Sequence, residues 1–456
     1  MKSWMVIFLL FSICAKGFSQ SSEIIPLQFE KSDLSAAVFG FLPDDRYLSE
    51  RSYIRYDLLT HIGCIEFHAD SLGNVGDPPY WPWTDVINNA HENGVKVILC
   101  TANFVASEMH YLMHSDSAKH LLFANLKDKV LTYQLDGVNI DFERFDPTDS
   151  GDLLNAFLAE MTAYLHQEIP GCEVSFAGPH YNWGGNWKFD GLADACDYLF
   201  LMGYAFAGSF STTTGSNAPL LGGTQNITTM LTQQYGDVLS SNPGKLILGV
   251  PYYGNKWVTA SPDPHAAVVS FVDTQPFSQS VTEARNFGLL WEDTEMSPWY
   301  RMQVNDTTWY QVWFDNDSSL GLKYELAKSY GLKGVGMWAL GYDGNRPELW
   351  GAIEKHFVVT GIPNSSAPVP AFELFQNYPN PFNPTTRIAY SLPQVSNVVI
   401  KVYDVLGTEI KTLVNKRETE GTHEVRFDGR NLPSGVYFYR METRGRILSR
   451  KMILLK

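Results

Sequence analysis

Between Ala36 and Phe357 the chain repeats one alternation eight times: a short apolar run, then a longer amphipathic stretch. The runs are AAVFGFL (36–42), HIGCIEFHA (61–69), VKVILCTA (95–102), LDGVNIDFE (135–143), EVSFAGP (173–179), DYLFLMGY (197–204), KLILGVPYYG (245–254) and GVGMWALGYD (334–343). Segments such as DLLNAFLAEMTAYLHQEI (152–169) and SLGLKYELAKSYG (319–331) read as the intervening helices. Strands that alternate with helices pair in parallel, because each return crossover needs a helix's length of chain. Eight such units predict a closed (β/α)8 TIM barrel over residues 36–357. A doubly wound open sheet is the alternative, although no Gly-rich phosphate loop follows the first run. The interval before the eighth run, WEDTEMSPWYRMQVNDTTWYQVWF, is long and aromatic and reads as a small β-rich insertion at the barrel rim between strands 7 and 8.

The fourth run stands apart. Val138, Ile140 and Phe142 alternate with Asn139, Asp141 and Glu143. Successive side chains of a strand face opposite ways, so one face is apolar and the other carries an amide and two carboxylates. An unpaired buried carboxylate is costly, and this strand lines up two. In a (β/α)8 barrel the active site lies where the C-terminal ends of the strands meet, and Glu143 ends the fourth strand. Burial and a neighbouring carboxylate raise the pKa of an acid placed there, as a general acid for glycosidic cleavage requires. The other reading is a hydrogen-bonded polar layer inside the barrel.

The string DGVNIDFE resembles the Asp-Gly-x-Asp-x-Asp-x-Glu signature of glycoside hydrolase family 18, the chitinase-like family. Matched position by position, the resemblance implies that Glu143 is the general acid and that Asp141 orients the substrate's acetamido group. Asp136 matches the first Asp, which supports the strand and is grouped with the substrate-binding residues. Tyr204 in LMGY resembles the sixth-strand Tyr that hydrogen-bonds the acetamido carbonyl, with Met202 beside it. LGVPYYG resembles the seventh strand, and Trp338 in GVGMWALGYDG the eighth-strand Trp that floors the cleavage subsite. Two positions depart from the family pattern. Asn139 stands where a second Asp is usual, as in a bacterial branch that includes peptidoglycan-acting N-acetylglucosaminidases, and Ala205 follows Tyr204 where the family typically has Asp. The implied reaction uses no enzymic nucleophile: Glu143 protonates the glycosidic oxygen, the 2-acetamido oxygen attacks the anomeric carbon, and Glu143 then activates water, with retention. The implied substrate is a β-1,4-linked N-acetylglucosamine polymer, chitin or chitin-like. Peptidoglycan or N-glycan cleavage is an alternative, as is a non-catalytic chitin-binding lectin, although such lectins usually lack the acid. No cofactor or metal ion is called for.

Composition narrows the partners. A formal net charge of −15 argues against nucleic acid or anionic membrane surfaces. Aromatic residues make up 14% of the chain, a content common in proteins that stack rings on sugar faces. Trp81, Trp83, Trp183 and Trp187 fall in expected rim loops, where they either stack on sugar or pack. Residues 1–20 read as a secretory signal peptide: Lys2, then the apolar Met5 to Ile13, then small and polar residues. Phe11-Ser12-Ile13 does not suit a lipid-modified Cys14. Four later cysteines are too few for a disulfide framework; Cys172 and Cys196 either pair or stay as buried thiols. No later apolar run is long enough to span a membrane.

Residues 358–371, with GIPNSSAPVPA, read as a linker. Beyond it, TTRIAYSLP, NVVIKVYDVLG, HEVRFDG and GVYFYRME are short alternating strands split by turn residues, and predict a small all-β sandwich over 372–456. This region has 13 Lys/Arg against 8 Asp/Glu, opposite in sign to the rest. FELFQNYPNPFNPTTRIAYSLP, with VYDVLG, SGVYFYR and KMILLK, resembles the type A sorting domain of the type IX secretion system. That resemblance implies the type IX machinery as a partner, and a secreted or cell-surface location reached through the periplasm and outer membrane.

Overall fold

The computed structural model describes residues 30–359 and most of 373–454. The expected signal peptide and nearly all of the linker lie outside the described residues. The chain divides into two compact units at Val359/Thr360.

In the first unit, β1 (Ala37–Pro43), β2 (His61–His68), β3 (Lys96–Asn103), β4 (Gly137–Phe142), β5 (Glu173–Gly178), β6 (Tyr198–Met202) and β7 (Leu246–Pro251) follow the first seven apolar runs. Five strands of an insertion come next: β8 (Tyr253–Thr259), β9 (Val268–Pro276), β10 (Leu290–Glu292), β11 (Ser297–Asn305) and β12 (Thr308–Trp313). Then β13 (Gly334–Trp338) completes the barrel in the order β1-β13-β7-β6-β5-β4-β3-β2. Because β1 pairs in parallel with both β2 and β13, the sheet closes on itself, which excludes the open doubly wound alternative.

Strand alternation sorts the side chains into two cores. Val138, Ile140 and Phe142 point outward beneath the helices, with Val97, Leu99, Leu199 and Leu201 from neighbouring strands. Phe39, Phe41, Ile98, Cys100, Tyr198 and Phe200 fill the barrel interior. The interior is crowded enough to dictate glycine. A Cβ at Gly249 or Gly336 would lie 2.4 Å or 2.3 Å from the Phe200 ring. The ring therefore sits against paired glycines of two adjacent strands, β7 and β13, a large-against-small fit inside the barrel.

The insertion forms one antiparallel sheet in the order β10-β11-β12-β8-β9, with a helix, Phe277–Phe287, between β9 and β10. Trp257, Trp299 and Trp313 make its core, the last two stacked at 5.1 Å. The Trp257 indole donates to Gly208 O, and the Asn255 amide to Ala207 O, so the sheet grips the loop after β6.

The second unit contains β14 (Glu373–Leu374), β15 (Thr385–Leu392), β16 (Ser396–Tyr403), β17 (Glu409–Glu418), β18 (Gly421–Asp428), β19 (Gly435–Thr443) and β20 (Arg446–Leu454). They form a three-stranded sheet, β14-β15-β18, and a four-stranded sheet, β17-β16-β19-β20, around Ile388, Tyr390, Ile400, Tyr439 and Met441. Among the described residues, no helix is long and apolar enough to cross a membrane.

Candidate active site

At the C-terminal mouth of the barrel is a cavity of about 450 Å³, within the usual range for small-molecule sites. Glu143, Arg144, Phe145, Pro147 and Ser150 line one side, Pro179, His180, Trp183 and Trp187 another, and Met202, Tyr204, Ala205 and Tyr253 a third. Glu143, Tyr204 and Met202, read from the sequence as site residues, therefore meet in one cleft.

Asp141 lies one strand repeat below Glu143 on the same face, roughly 7 Å along the backbone. It is buried, and its Oδ1 has no hydrogen-bond partner in the protein. Burial, then the charges of Glu143 and Glu66, hold its carboxyl well above the usual range. Burial also raises Glu143, with Arg144 partly opposing the shift. Burial and the neighbouring Glu143 carboxylate thus both disfavour ionisation of Asp141. Burial and the nearby Asp141 carboxyl keep the Tyr204 phenol firmly protonated, a standing hydroxyl donor. Tyr253, raised to about 12 by burial, packs edge-on to Tyr204 with ring centroids 6.3 Å apart. Burial lowers His180 to about 4, so this ring is neutral in the cleft wall.

Two residues expected to bind substrate lie elsewhere. Asp136 is at the opposite, N-terminal end of β4, where its Oδ2 accepts from His91 Nε2 at 2.9 Å and Val97 N at 2.7 Å. Five residues of strand, roughly 17 Å, separate it from Asp141. It fastens β4 to β3 and to the helix Thr84–Glu92, and does not reach the cleft. Asn139 is fully buried beneath Asp141. Its amide donates to Ser175 Oγ at 2.9 Å, and the Cys100 thiol donates to its Oδ1 at 3.2 Å. It is a hydrogen-bonded layer under the site, and so the polar-layer reading of this strand applies at its lower half. Trp338 ends β13 and packs on the barrel core, 5.6 Å from the Phe41 ring and in the same cluster as Tyr204 and Met202.

The rim tryptophans also divide. Trp83 is wholly buried, stacked on Tyr47 at 4.6 Å with its indole bonded to Pro79 O, and Trp81 packs against Phe67 and Tyr133. Trp83 is therefore closed to a sugar, while Trp81 is partly buried in this packing. Trp187 lines the cleft but is packed on Phe145 and Phe189, whereas Trp183 is 56% exposed at the mouth. Cys172 and Cys196 are both free and buried, which settles their alternatives in favour of thiols.

Nothing in the alternation of the apolar runs points to Tyr253, Glu66 or Asn217. Asn217 Oδ1 accepts from Ala205 N at 3.0 Å and its amide donates to Tyr253 O at 3.3 Å, so one side chain sets the third wall. Ala205 itself has φ 61°, a left-handed conformation that this bond helps hold.

Comparison with known proteins places this geometry. The model of the family "Glycosyl hydrolases family 18" matches residues 18–343. The chain belongs to glycosyl hydrolase family 18. Within that family it is 30% identical to di-N-acetylchitobiase of Rattus norvegicus over 253 residues, 48% of this chain and 66% of the relative. It is 23% identical to the cortical fragment-lytic enzyme of Bacillus subtilis over 314 residues, 66% of this chain and 68% of that one. The chain thus spans about two thirds of the length of the chitobiase it matches. The spore cortex-lytic enzyme SleL of Bacillus cereus shares the fold with a TM-score of 0.60 at 18% identity, covering 74% of this chain and 76% of its own. A family 18 chitinase of Cycas revoluta in complex with (GlcNAc)3 superposes with a TM-score of 0.59 at 21% identity, covering 70% and 98%. Residues 376–455 match a second model, "Secretion system C-terminal sorting domain", which implies export to the cell surface or secretion.

Proposed function

We propose that this family 18 protein is a secreted glycosidase that cleaves β-1,4-linked N-acetylglucosamine polymers, chitin or chitin-like, by substrate-assisted hydrolysis with retention. The observation that carries the reading is the buried, unpartnered Asp141 Oδ1, beside a protonated Tyr204 and under Glu143. A buried acceptor left unsatisfied is costly, and a 2-acetamido group supplies the matching pair: its N–H for Asp141, its carbonyl for the Tyr204 hydroxyl. Held so, the carbonyl oxygen is aimed at the anomeric carbon. Glu143, whose hold on a proton burial strengthens, gives its proton to the leaving oxygen. The Asp141 carboxylate accepts a hydrogen bond from the N–H, which stays on nitrogen, and offsets the positive charge that develops on the closing oxazolinium ring. Glu143, now a carboxylate, then draws a proton from water as water opens the ring. The mostly apolar wall of Phe145, Pro179 and Trp187 keeps bulk water away from that intermediate.

Glu143→Gln tests the roles directly. Gln is nearly isosteric, so folding and oligosaccharide binding should persist while turnover falls by at least the roughly 10²–10⁴-fold that acid help contributes. Near-normal turnover would remove Glu143 from the mechanism.

A peptidoglycan substrate is the second reading. It is favoured by the similarity to cortex-lytic enzymes and by Asn139 in place of the family's second Asp. Product analysis on chitin oligomers, purified peptidoglycan and a high-mannose glycoprotein side by side separates these substrates.

A further inference from the structure

On the helix Ala106–His114, His110 and His114 are one turn apart and share a face. Their ring centroids are 4.3 Å apart. Both converge on Asp149, from the loop between β4 and the helix Asp152–Glu168: Oδ2 lies 2.7 Å from His110 Nδ1, and Oδ1 3.5 Å from His114 Nε2. Asp149 is 2% exposed, while the two imidazoles are about half exposed. One donor atom from each of the three lies within 4.8 Å of the others.

An ion pair needs only one imidazole. His110 already supplies a good hydrogen bond to the carboxylate, and the second ring, at 3.5 Å, adds a poor one. Two imidazoles and a carboxylate are instead a donor set for Zn²⁺, and for Ni²⁺ or Cu²⁺. A tetrahedral ion about 2.1 Å from each donor holds the donors about 3.4 Å apart. The 2.7 Å contact would have to open by less than an ångström, within reach of half-exposed side chains. The exposed side leaves a path for the ion and room for water in the fourth position.

We propose that His110, His114 and Asp149 bind one divalent transition-metal ion of the Zn²⁺ class, which ties the 144–151 loop to the helix Ala106–His114. That loop carries Arg144, Phe145, Pro147 and Ser150 of the cleft wall. Its internal fastenings are short in range, such as Thr148 Oγ1 to Asp146 and Ser150 Oγ to Pro147 O. None of the three donors lines the cleft, so the ion stiffens the wall and takes no part in bond cleavage. Among the described residues, a second candidate cluster, His265, Glu292 and Glu295, is wider at 3.9 Å. Its carboxylates are already used by Ser216 N and Glu295 N.

The test titrates the full chain, first stripped with a chelator, with ZnCl₂ in a calorimeter. The expected result is one equivalent bound at micromolar affinity or tighter, with amide exchange slowed in the 144–151 loop. The double variant His110→Ala, His114→Ala should weaken binding by roughly 100-fold, and His265→Ala should leave it unchanged. His114→Gln preserves the His110–Asp149 hydrogen bond, and should still weaken binding at least tenfold if the double variant does not fold. Absence of the one-equivalent step, its survival in both histidine variants, or its loss in His265→Ala would overturn the assignment.

Discussion

Asn139 shows how one residue separates the polar layer of a barrel from its chemistry. It sits in the same inward column as Asp141, yet both ends of its amide are taken, by Ser175 and Cys100. Asn139→Asp removes the donor to Ser175 and puts a carboxyl in a fully buried site, at a cost of order 1–3 kcal/mol. Buried beside Asp141, the new carboxyl will stay protonated above its unfolded pKa. A group raised in the folded state stabilises below its unfolded pKa and loses that contribution as pH rises. The variant's melting temperature should therefore fall short of wild type by more at pH 7 than at pH 4. An equal deficit at both would show that burial does not raise the pKa of a carboxyl at position 139. Tyr204→Phe keeps the ring but deletes the hydroxyl that we propose binds the acetamido carbonyl. Turnover should drop roughly 10²-fold with the melting curve little changed, and unchanged turnover would free Tyr204 from any catalytic part.

At the level of elements, the eight barrel strands are legible because each is a continuous apolar run. Strands covered on both faces need no polar alternation, and β4 draws the eye because it breaks that rule. The edge strands β17 and β20 escape notice for the opposite reason. EIKTLVNKRE and RILSRKMIL are thick with Lys and Arg, as unpaired sheet edges tend to be. Asp136 was open to misplacement because a motif gives residues in order but not which end of a strand each occupies. Tyr253 lines the cleft and the buried Asn217 braces it from the loop after β6, a tertiary contact that no local pattern records. The loop closing the last barrel strand offers a clean test of burial. Asp343, 2% exposed, accepts from the Trp350 indole at 2.8 Å and is pushed up to about 7 by burial. Against an unfolded value near 4, it binds its proton more tightly when folded, so its contribution to stability fades as pH rises from about 4 to about 7. Asp343→Asn should abolish that part of the decline and stabilise the barrel at pH 7 by a few kcal/mol, at most about 4. Calorimetric melts across this window check it; parallel curves for the two proteins would contradict it.

For the whole molecule, each of the two units has its own core, with Val359/Thr360 as the division. A chain ending at Val359 should fold and keep full specific activity, since every cleft residue precedes that point. In the native host it should remain inside the outer membrane, and its appearance in the medium would contradict the sorting role of residues 376–455. The barrel was visible in the spacing of hydrophobic runs, and the buried carboxyl pair in one strand that breaks the pattern. The central claim is that cleavage retains configuration because the substrate's own acetamido group, steered by Asp141 and Tyr204, shields one face of the anomeric carbon before water attacks. Time-resolved proton NMR of a chito-oligosaccharide digest tests it most directly: the first-formed reducing end should be the β-anomer, with the α-anomer appearing only as mutarotation proceeds. An α-anomer at the earliest time would mean direct attack by water with inversion, and would contradict the account.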